Sequence, residues 1–467
     1  EVASCYVQPH VGSDVALISG MAKYLIEADL VDQEYIDSYC EQFDGYSHFL
    51  AKLSWTEIES ECGLEQSQIE SLANLYAQSE RTVFSWGMGL THHHNGTDNI
   101  EAIASLALLR GMIGGEGKGL LPLRGHSNVQ GVGSMGVTPT LKTEVFSAIE
   151  KEFRVELPKH EGMDTLACIQ AANRGEIDFA FLLGGNLFAA NPDTSFSGRA
   201  LSKIPFKVMI NSTLNQTHLN GVEGENLILP IRVRDEETQA TTQESMFNYL
   251  RMSDGGFDRI EALRSEVEII SSIAAEVIGS GILDFREFKR HDSIRKAIAK
   301  LIPGFAALAD IDETKTEFHI DGRYLAKPHF TTKSGRAKFC IPTQTSWKTK
   351  TTENSNQFTL TSVRSEGQFN TIIYSEEDVY RRQSHRKVLF ISAEDIEKLK
   401  LKTEDKVDVS NATGTLSSFS IALYDIKPGN VMCYFPEANV LVPQSVDQRS
   451  RTPSFKSVSV SIMKAMA

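Results

Sequence analysis

One stretch of the sequence, residues 120–136, concentrates the features that suit the binding of an anion. It reads LLPLRGHSNVQGVGSMG and has almost no hydrophobic periodicity. Closely spaced glycines let the backbone turn with positive φ and approach a ligand, and successive N–H groups in such turns form an anion-binding nest. Arg124 adds a planar guanidinium suited to phosphate or carboxylate, while Asn128 and Gln130 add amides that donate and accept. An ordinary glycine-rich surface loop is the alternative interpretation.

Three further polar turns follow stretches that read as buried strands. They are Gly87-Met88-Gly89 after RTVFSW, Gly184-Gly185-Asn186 after DFAFLL, and Asn211-Ser212-Thr213 after PFKVMI. In α/β proteins ligands bind beyond the carboxyl ends of strands, and pyrophosphates bind at glycine turns and helix N-termini. Each turn therefore predicts a ligand contact, with a plain left-handed turn or helix cap as the alternative.

These turns require a particular framework of helices and strands. Strands alternate with helices as far as about residue 300, which predicts α/β architecture with mainly parallel sheets covered by helices on both faces. One of these helices is expected at about residues 99–112 and another at about 257–278. From residue 357 short strands predominate, which predicts a β-rich, barrel-like carboxy-terminal domain. We place the domains at 1–126 (the remainder of an α/β domain), 127–350 (a second α/β cofactor-binding domain plus connector) and 351–467 (the barrel-like domain).

Composition narrows the classes of function. The chain has 467 residues, 41% of them hydrophobic and 23% charged, and a net charge of −14 that argues against nucleic-acid binding. No run approaches the ~20 apolar residues of a membrane-spanning helix. The six cysteines are scattered, which predicts a reduced, cytoplasmic protein and gives no local spacing for a zinc or iron–sulfur site. The chain begins without Met, so we interpret it as part of a longer protein.

Seven stretches together resemble one family, in that family's order. They are SWGMGLTHHHNG (85–96), ALLRGMIGGEGKGLLPLRGHSNVQGVGSMG (107–136), LGGNLFAANPD (183–193), NSTLNQTHL (211–219), TLTSVRSEGQFNTIIYSEEDVYR (359–381), PEANVLVP (436–443) and TPSFKSV (452–458). The chain resembles the alpha subunit of the formate-dehydrogenase-like molybdopterin oxidoreductases, and the likeness extends over nearly its whole length.

The resemblance implies a bis(molybdopterin guanine dinucleotide) cofactor with molybdenum or tungsten, and a small substrate such as formate. It also implies that this chain is the carboxy-terminal portion of the subunit. The metal-ligating residue and any iron–sulfur cluster would then lie upstream, so we expect the fragment alone to be inactive; the electron acceptor is not identified. A non-catalytic cofactor-binding or assembly scaffold is the alternative. An ordinary nucleotide-binding protein is disfavoured, because neither GxxxxGK[ST] nor a GxGxxG after a strand occurs.

By the same resemblance, Arg124 matches the family's active-site arginine and would hold the substrate anion; pairing with a cofactor phosphate is its alternative role. No metal ligand is assigned, since consecutive histidines such as His92, His93 and His94 rarely converge on one ion. His126 is either a proton shuttle or a hydrogen-bonding loop residue. Arg364, Asn439 and Lys456 could instead be surface or turn residues. The expected cofactor contacts are Gly87, Met88, Gly89, Gly125, Asn128, Gln130, Gly131, Gly184, Gly185, Asn186, Asn211, Thr213, Arg364, Gln368, Phe369, Asn370, Asn439 and Lys456.

Overall fold

The computed structural model describes residues 3–281, 283–321, 327–343, 356–369 and 372–466. Contacts divide the chain into two units. The first unit comprises Glu1–Pro122, Ala189–Ser197 and Leu325–Ala467, and the second comprises Leu123–Phe188 and Gly198–Tyr324. The predicted boundaries at residues 126 and 350 stay predictions.

The helices of the described residues are α1 (Asp14–Glu27), α2 (Gln33–Tyr39), α3 (Phe43–Lys52), α4 (Trp55–Cys62), α5 (Gln66–Ala77), α6 (Met88–Thr91), α7 (Gly96–Leu109), α8 (Val129–Ser134), α9 (Thr143–Phe153), α10 (Thr165–Arg174), α11 (Thr194–Leu201), α12 (Glu266–Ile278), α13 (His291–Leu301), α14 (Ile311–Thr314) and α15 (Ala393–Lys398). Short 3₁₀ helices span Gln216–His218, Arg234–Glu236, Phe285–Lys289, Ala306–Ala309 and Glu437–Leu441.

The strands of the described residues are β1 (Cys40–Glu41), β2 (Val83–Trp86), β3 (Gly119–Pro122), β4 (Phe179–Leu183), β5 (Phe206–Asn211), β6 (Glu225–Pro230), β7 (Thr241–Glu244), β8 (Tyr249–Ser253), β9 (Phe318–His319), β10 (Ala337–Lys338), β11 (Gln357–Val363), β12 (Val388–Ile391), β13 (Lys406–Ser410), β14 (Thr415–Leu423), β15 (Asn430–Tyr434) and β16 (Val458–Lys464). The structure therefore contains both helices with parallel strands and a separate β-rich region. This confirms the predicted fold class.

The first unit contains a helical layer, two small parallel sheets and a barrel. Helix α1 packs on α3, α4, α5 and α7, and side chains such as Val15, Ile58 and Ile69 are fully buried there. Strand β2 pairs in parallel with β3, and β1 with β10. Six strands close a barrel in the order β11-β15-β12-β14-β13-β16, which has its own apolar core around Leu389 and Val431.

The second unit contains a parallel sheet in the order β4-β5-β6 and an antiparallel sheet in the order β7-β8-β9. Strand β5 lies between its two neighbours, and its residues Val208 and Ile210 pack with Ile269 of α12. Lys207 on the same strand is fully buried, and its ammonium donates to the carbonyl oxygens of Leu201, Ile204 and Glu223. The carboxyl ends of these parallel strands carry the predicted polar turns.

Some details of the predicted elements were wrong. Helix α12 begins at Glu266 rather than near residue 257, because Ser265 caps it by accepting a hydrogen bond from the N–H of Glu268. Residues 129–134, for which no helix was predicted, form helix α8. Strand β16 was missed, although VSVSIMK alternates apolar and polar residues as a half-buried strand does. This strand closes the barrel by pairing with both β11 and β13.

Candidate functional site

The turn after β2 leaves its backbone open to a ligand. Gly87 ends the strand and Gly89 lies in the short helix that follows. A Cβ placed on either glycine would meet no atom within 4 Å, and the Met88 side chain between them is 41% exposed. Because β2 and β3 are parallel, this turn lies at the edge of the sheet where ligands of α/β proteins bind. The prediction for these three residues therefore rests on an accessible backbone.

Two cationic side chains from the barrel lie near the same turn. A guanidinium nitrogen of Arg364 is 4.0 Å from the sulfur of Met88, and this guanidinium lies 5.1 Å from the ring centre of Phe435. The N–H of Lys456 donates to His92 O at 3.0 Å, and its ammonium donates to Ser362 O. Burial, with help from Arg364 and Arg381, lowers the pKa of Lys456 to about 8. Burial also lowers the pKa of Arg364.

These two cations create a positively charged, partly dehydrated surface in the first unit. No carboxylate of the described residues lies within 4 Å of the Lys456 ammonium. A buried cation without a carboxylate partner is costly, so it favours a ligand that brings negative charge. The arrangement suits phosphate or another delocalised anion.

The neighbouring histidines are neutral at pH 7. Burial lowers the pKa of His92 to about 4, with further contributions from Lys456 and Arg364. Burial likewise lowers the pKa of His93 to about 4. Within the described residues, no group of three or more His, Cys, Asp or Glu side chains could hold a metal ion. The three consecutive histidines therefore do not belong to such a group.

The loop after β11 is held by an arginine that sequence analysis missed. Arg386 is 3% exposed and donates to both carboxylate oxygens of Glu437, to Phe435 O, to Ser365 Oγ and to Gln368 Oε1. Gln368 Oε1 also accepts from the N–H of Ser365, and its amide nitrogen donates to Phe435 O. The amide of Gln368 thus fixes the loop itself. A lone Arg after a polar loop gives little sequence signal for such a role.

The other two predicted contacts that follow Gln368 in the sequence are Phe369 and Asn370. Phe369 is 53% exposed, and its ring centre lies 5.6 Å from that of Tyr374. Asn370 lies outside the described residues. The loop therefore offers an aromatic surface next to the Gln368 anchor.

Asn439 is fully buried in the first unit. Its amide nitrogen donates to Ala189 O at 2.7 Å, and its backbone oxygen accepts from the N–H of Asp193 at 3.0 Å. Its Oδ1 is buried and has no hydrogen-bond donor among the described residues. A buried acceptor without a donor costs about 1–3 kcal/mol, so this oxygen is suited to a donor supplied from outside the protein.

Asp14, at the start of α1, is a carboxylate that sequence analysis did not single out. Burial raises its pKa to about 6, and a hydrogen bond with its own backbone opposes this rise. It follows Gly12, whose Cβ position lies 2.8 Å from Ser457 Oγ, next to Lys456. The sequence signal is Gly-Ser-Asp at the start of a helix.

In the second unit, the turns after β4 and β5 come together. Gly184 and Gly185 have φ angles of 62° and 81°, and a Cβ on either would meet no atom within 4 Å. The amide of Asn211 donates to Gly185 O at 3.3 Å, and Asn186 Oδ1 accepts from Thr217 at 2.9 Å. Thr213 is exposed. This edge of the sheet therefore presents an open glycine turn flanked by amides.

The Arg124 segment, also in the second unit, divides into an open half and a packed half. Arg124 is exposed and makes no hydrogen bond or ion pair with any described residue, and Gly125 has open space at its Cβ position. Asn128 has φ 60°, and its Oδ1 accepts from the N–H of Glu244 at 3.0 Å. A Cβ on Gly131 would overlap that oxygen, and the Gln130 carbonyl accepts from Ser134. Asn128 and Gly131 therefore have a clear role in packing.

A cavity of about 470 Å³ lies in the second unit. Arg234 lies at its wall and donates to Ser127 Oγ and Gln243 Oε1. His291 Nε2 is 3.8 Å from a carboxylate oxygen of Glu237, and burial raises the pKa of Glu266, another lining residue. Charges of both signs suit a polar ligand with donors and acceptors rather than a plain anion.

Similarity to known proteins identifies the class. The profile described as molybdopterin oxidoreductase matches residues 2–250, and that of the molydopterin dinucleotide binding domain matches residues 358–459. The chain belongs to the molybdopterin oxidoreductase family. No helix among the described residues has the length and apolar character needed to cross a membrane.

Three individual relatives are between 14% and 33% identical to this chain. An uncharacterized oxidoreductase of Mycobacterium bovis is 33% identical over 98% of this chain and 62% of its own length. The F420-dependent formate dehydrogenase subunit alpha of Methanocaldococcus jannaschii is 26% identical over 98% of this chain and 69% of its own length. Acetylene hydratase from Pelobacter acetylenicus shares the fold, with a TM-score of 0.70 at 14% identity over 99% of this chain and 72% of that one. The chain thus spans about three fifths of the length of the first of these relatives.

Proposed function

We propose that this chain is the cofactor-binding portion of a cytoplasmic molybdenum or tungsten oxidoreductase that oxidises formate or a related small anion. Its similarity to a formate dehydrogenase alpha subunit supports this substrate class. The observation that carries the proposal is Arg124, a guanidinium in a glycine-rich segment with no partner among the described residues. Activity is proposed for the full-length protein, since the chain spans 62% of the length of the Mycobacterium bovis relative.

The cofactor we propose is bis(molybdopterin guanine dinucleotide), and the residues present fit it. Open glycine turns at Gly87, Gly89, Gly184 and Gly185 would accept pyrophosphate oxygens through backbone N–H groups. Lys456 and Arg364 would offset the negative charge of one dinucleotide. The unpaired Asn439 Oδ1 would accept from a guanine or pterin N–H. When bound, the group supplies the metal that takes electrons from the substrate.

The residues of this chain would bind and orient, while the cofactor supplies the redox chemistry. Arg124 would hold the substrate carboxylate by two parallel charge-assisted hydrogen bonds, a geometry that fixes the substrate as well as attracting it. Its exposed position leaves the guanidinium free to meet a small anion from solvent.

The test uses the full-length protein produced with molybdate. We expect purified wild type to release guanine nucleotide on acid treatment in proportion to its metal content. Arg124→Ala should retain metal and nucleotide but lose about 10²–10³-fold in kcat/KM for formate, as expected when a donor to a reacting anion is removed. Arg259→Ala, an exposed arginine of the same unit, is the matched control.

Two outcomes would contradict the proposal. Unchanged formate turnover in Arg124→Ala would remove Arg124 from the substrate site. A full-length wild type that carries nucleotide but oxidises no small substrate would favour the non-catalytic scaffold instead.

A further inference from the structure

One imidazole joins three segments of the first unit that carry candidate cofactor contacts. His93 is 2% exposed and lies between α6 and α7. Its Nε2 lies 2.7 Å from Gly89 O, and its Nδ1 is hydrogen-bonded to Ser457 Oγ. The Cβ position of Gly12 lies 2.8 Å from the same hydroxyl and 3.5 Å from His93 Nδ1.

The partners of His93 determine which nitrogen carries the proton. A carbonyl oxygen can only accept, so Nε2 must donate to Gly89 O. In the neutral ring Nδ1 then has no hydrogen and accepts from the Ser457 hydroxyl. The single neutral tautomer uses both ring nitrogens in hydrogen bonds, and neither is left to contact a ligand.

Each segment that His93 contacts lies beside a candidate cofactor contact. Gly89 follows Met88, Ser457 follows Lys456, and Gly12 lies two residues before Asp14. A parallel link runs beside the imidazole, because the N–H of Lys456 donates to His92 O at 3.0 Å. Displacing His93 would therefore remove one of these two links between the Met88 turn and the Lys456 segment.

We propose that His93 is a positioning residue that sets Met88 and Lys456 at a fixed separation for the cofactor. This inference rests on the proposed cofactor, but its structural half concerns only the chain itself. A buried imidazole that merely filled space would need neither a fixed tautomer nor partners on two different segments.

The test compares full-length variants by two measurements other than turnover. Ser457→Ala removes one partner with little change in volume, and His93→Gln keeps an amide that can reach Gly89 O. Hydrogen–deuterium exchange follows the peptide at residues 452–458, which contains the Lys456 amide. Dialysis then follows the rate at which guanine nucleotide leaves the protein.

We expect Ser457→Ala to lose nucleotide about tenfold faster than wild type, the factor that corresponds to one buried hydrogen bond. Exchange in the 452–458 peptide should accelerate in parallel. His93→Phe, which loses both hydrogen bonds of the ring, should show a larger effect in both measurements, and His93→Gln a smaller effect than His93→Phe. Tyr76→Phe is the matched control, since it removes a buried hydrogen bond from Tyr76 to Leu106 O in the same unit away from the site. Tyr76→Phe should lower the melting temperature about as much as Ser457→Ala does. It should change neither exchange in the 452–458 peptide nor the rate of nucleotide loss.

Wild-type exchange and nucleotide retention in both Ser457→Ala and His93→Phe would overturn the inference. Should wild type itself release no guanine nucleotide, the proposed function fails instead. The exchange measurement would then still show whether His93 holds the two segments together.

Discussion

Cations are held differently in two regions of the molecule. The first region, called the barrel-side cluster, comprises Lys456 and Arg364 in the first unit. The second is the glycine-rich segment of the second unit that carries Arg124. Lys456 and Arg364 are partly dehydrated by the fold, and the Lys456 ammonium already donates to Ser362 O. Arg124 is exposed among glycines and makes no bond to a described residue. The first arrangement is preorganised at the expense of stability, as expected for a resident cofactor. The second arrangement leaves the Arg124 side chain available for a ligand that binds and dissociates.

The strongest test of this comparison removes the residue that supports the barrel-side cluster. Arg386→Met should lower the free energy of unfolding by about 3–5 kcal/mol, because it leaves the partly exposed Glu437 carboxylate and the buried acceptors Phe435 O and Ser365 Oγ without this donor. Urea denaturation of the chain measures the loss. Arg174→Met is the control, since Arg174 pairs with Glu176 on the surface at 2.7 Å and should change stability little. A loss no larger than that of the control would show that the loop after β11 does not depend on Arg386.

The second test asks whether the buried ammonium really destabilises the chain without cofactor. In the unfolded chain Lys456 keeps its proton up to its ordinary pKa of 10.5, whereas in the folded chain it loses it near a pKa of about 8. Between these values the unfolded state binds more protons, so this lysine makes the free energy of unfolding rise with pH. The free energy of unfolding should therefore rise by about 3 kcal/mol between pH 8 and pH 10.5 because of this lysine.

Subtracting the profile of Lys456→Met isolates this effect from tyrosines that titrate in the same range. Lys387→Met, an exposed lysine next to the barrel strand β12, should leave the wild-type slope intact. A slope that persists in Lys456→Met would assign the pH dependence to another group.

The strands and turns of the α/β sheet were predictable from the sequence because each has a local sequence pattern. DFAFLL and PFKVMI predicted β4 and β5 to within a residue at each end, and the glycines after β4 predicted a turn with positive φ. Strand β16 was missed because seven residues of alternating character resemble an amphipathic surface segment until a barrel provides its partners. Pairing across about a hundred residues of sequence is not a local property.

The residues that support the candidate site have weaker sequence signals than its candidate contacts. Arg386 acts partly through Phe435, 49 positions away, and His93 partly through Ser457, 364 positions away, so no local spacing in the sequence reveals them. Asn128 and Gly131 show the reverse case, because their side-chain and backbone chemistry resembled a ligand contact while the structure uses it in packing. Residue types indicate which chemistry is available, and tertiary contacts decide how it is used.

The smallest expected effect completes the comparison. Arg124→Ala should change the free energy of unfolding of the chain by no more than about 0.5 kcal/mol, since an exposed side chain without partners contributes little to the folded state. Gly125→Ala is the companion variant, because a Cβ there would meet no atom within 4 Å. Urea denaturation of both should overlay that of wild type. A large loss in Arg124→Ala would mean that the guanidinium is committed to the fold, and the contrast with Lys456 would then disappear.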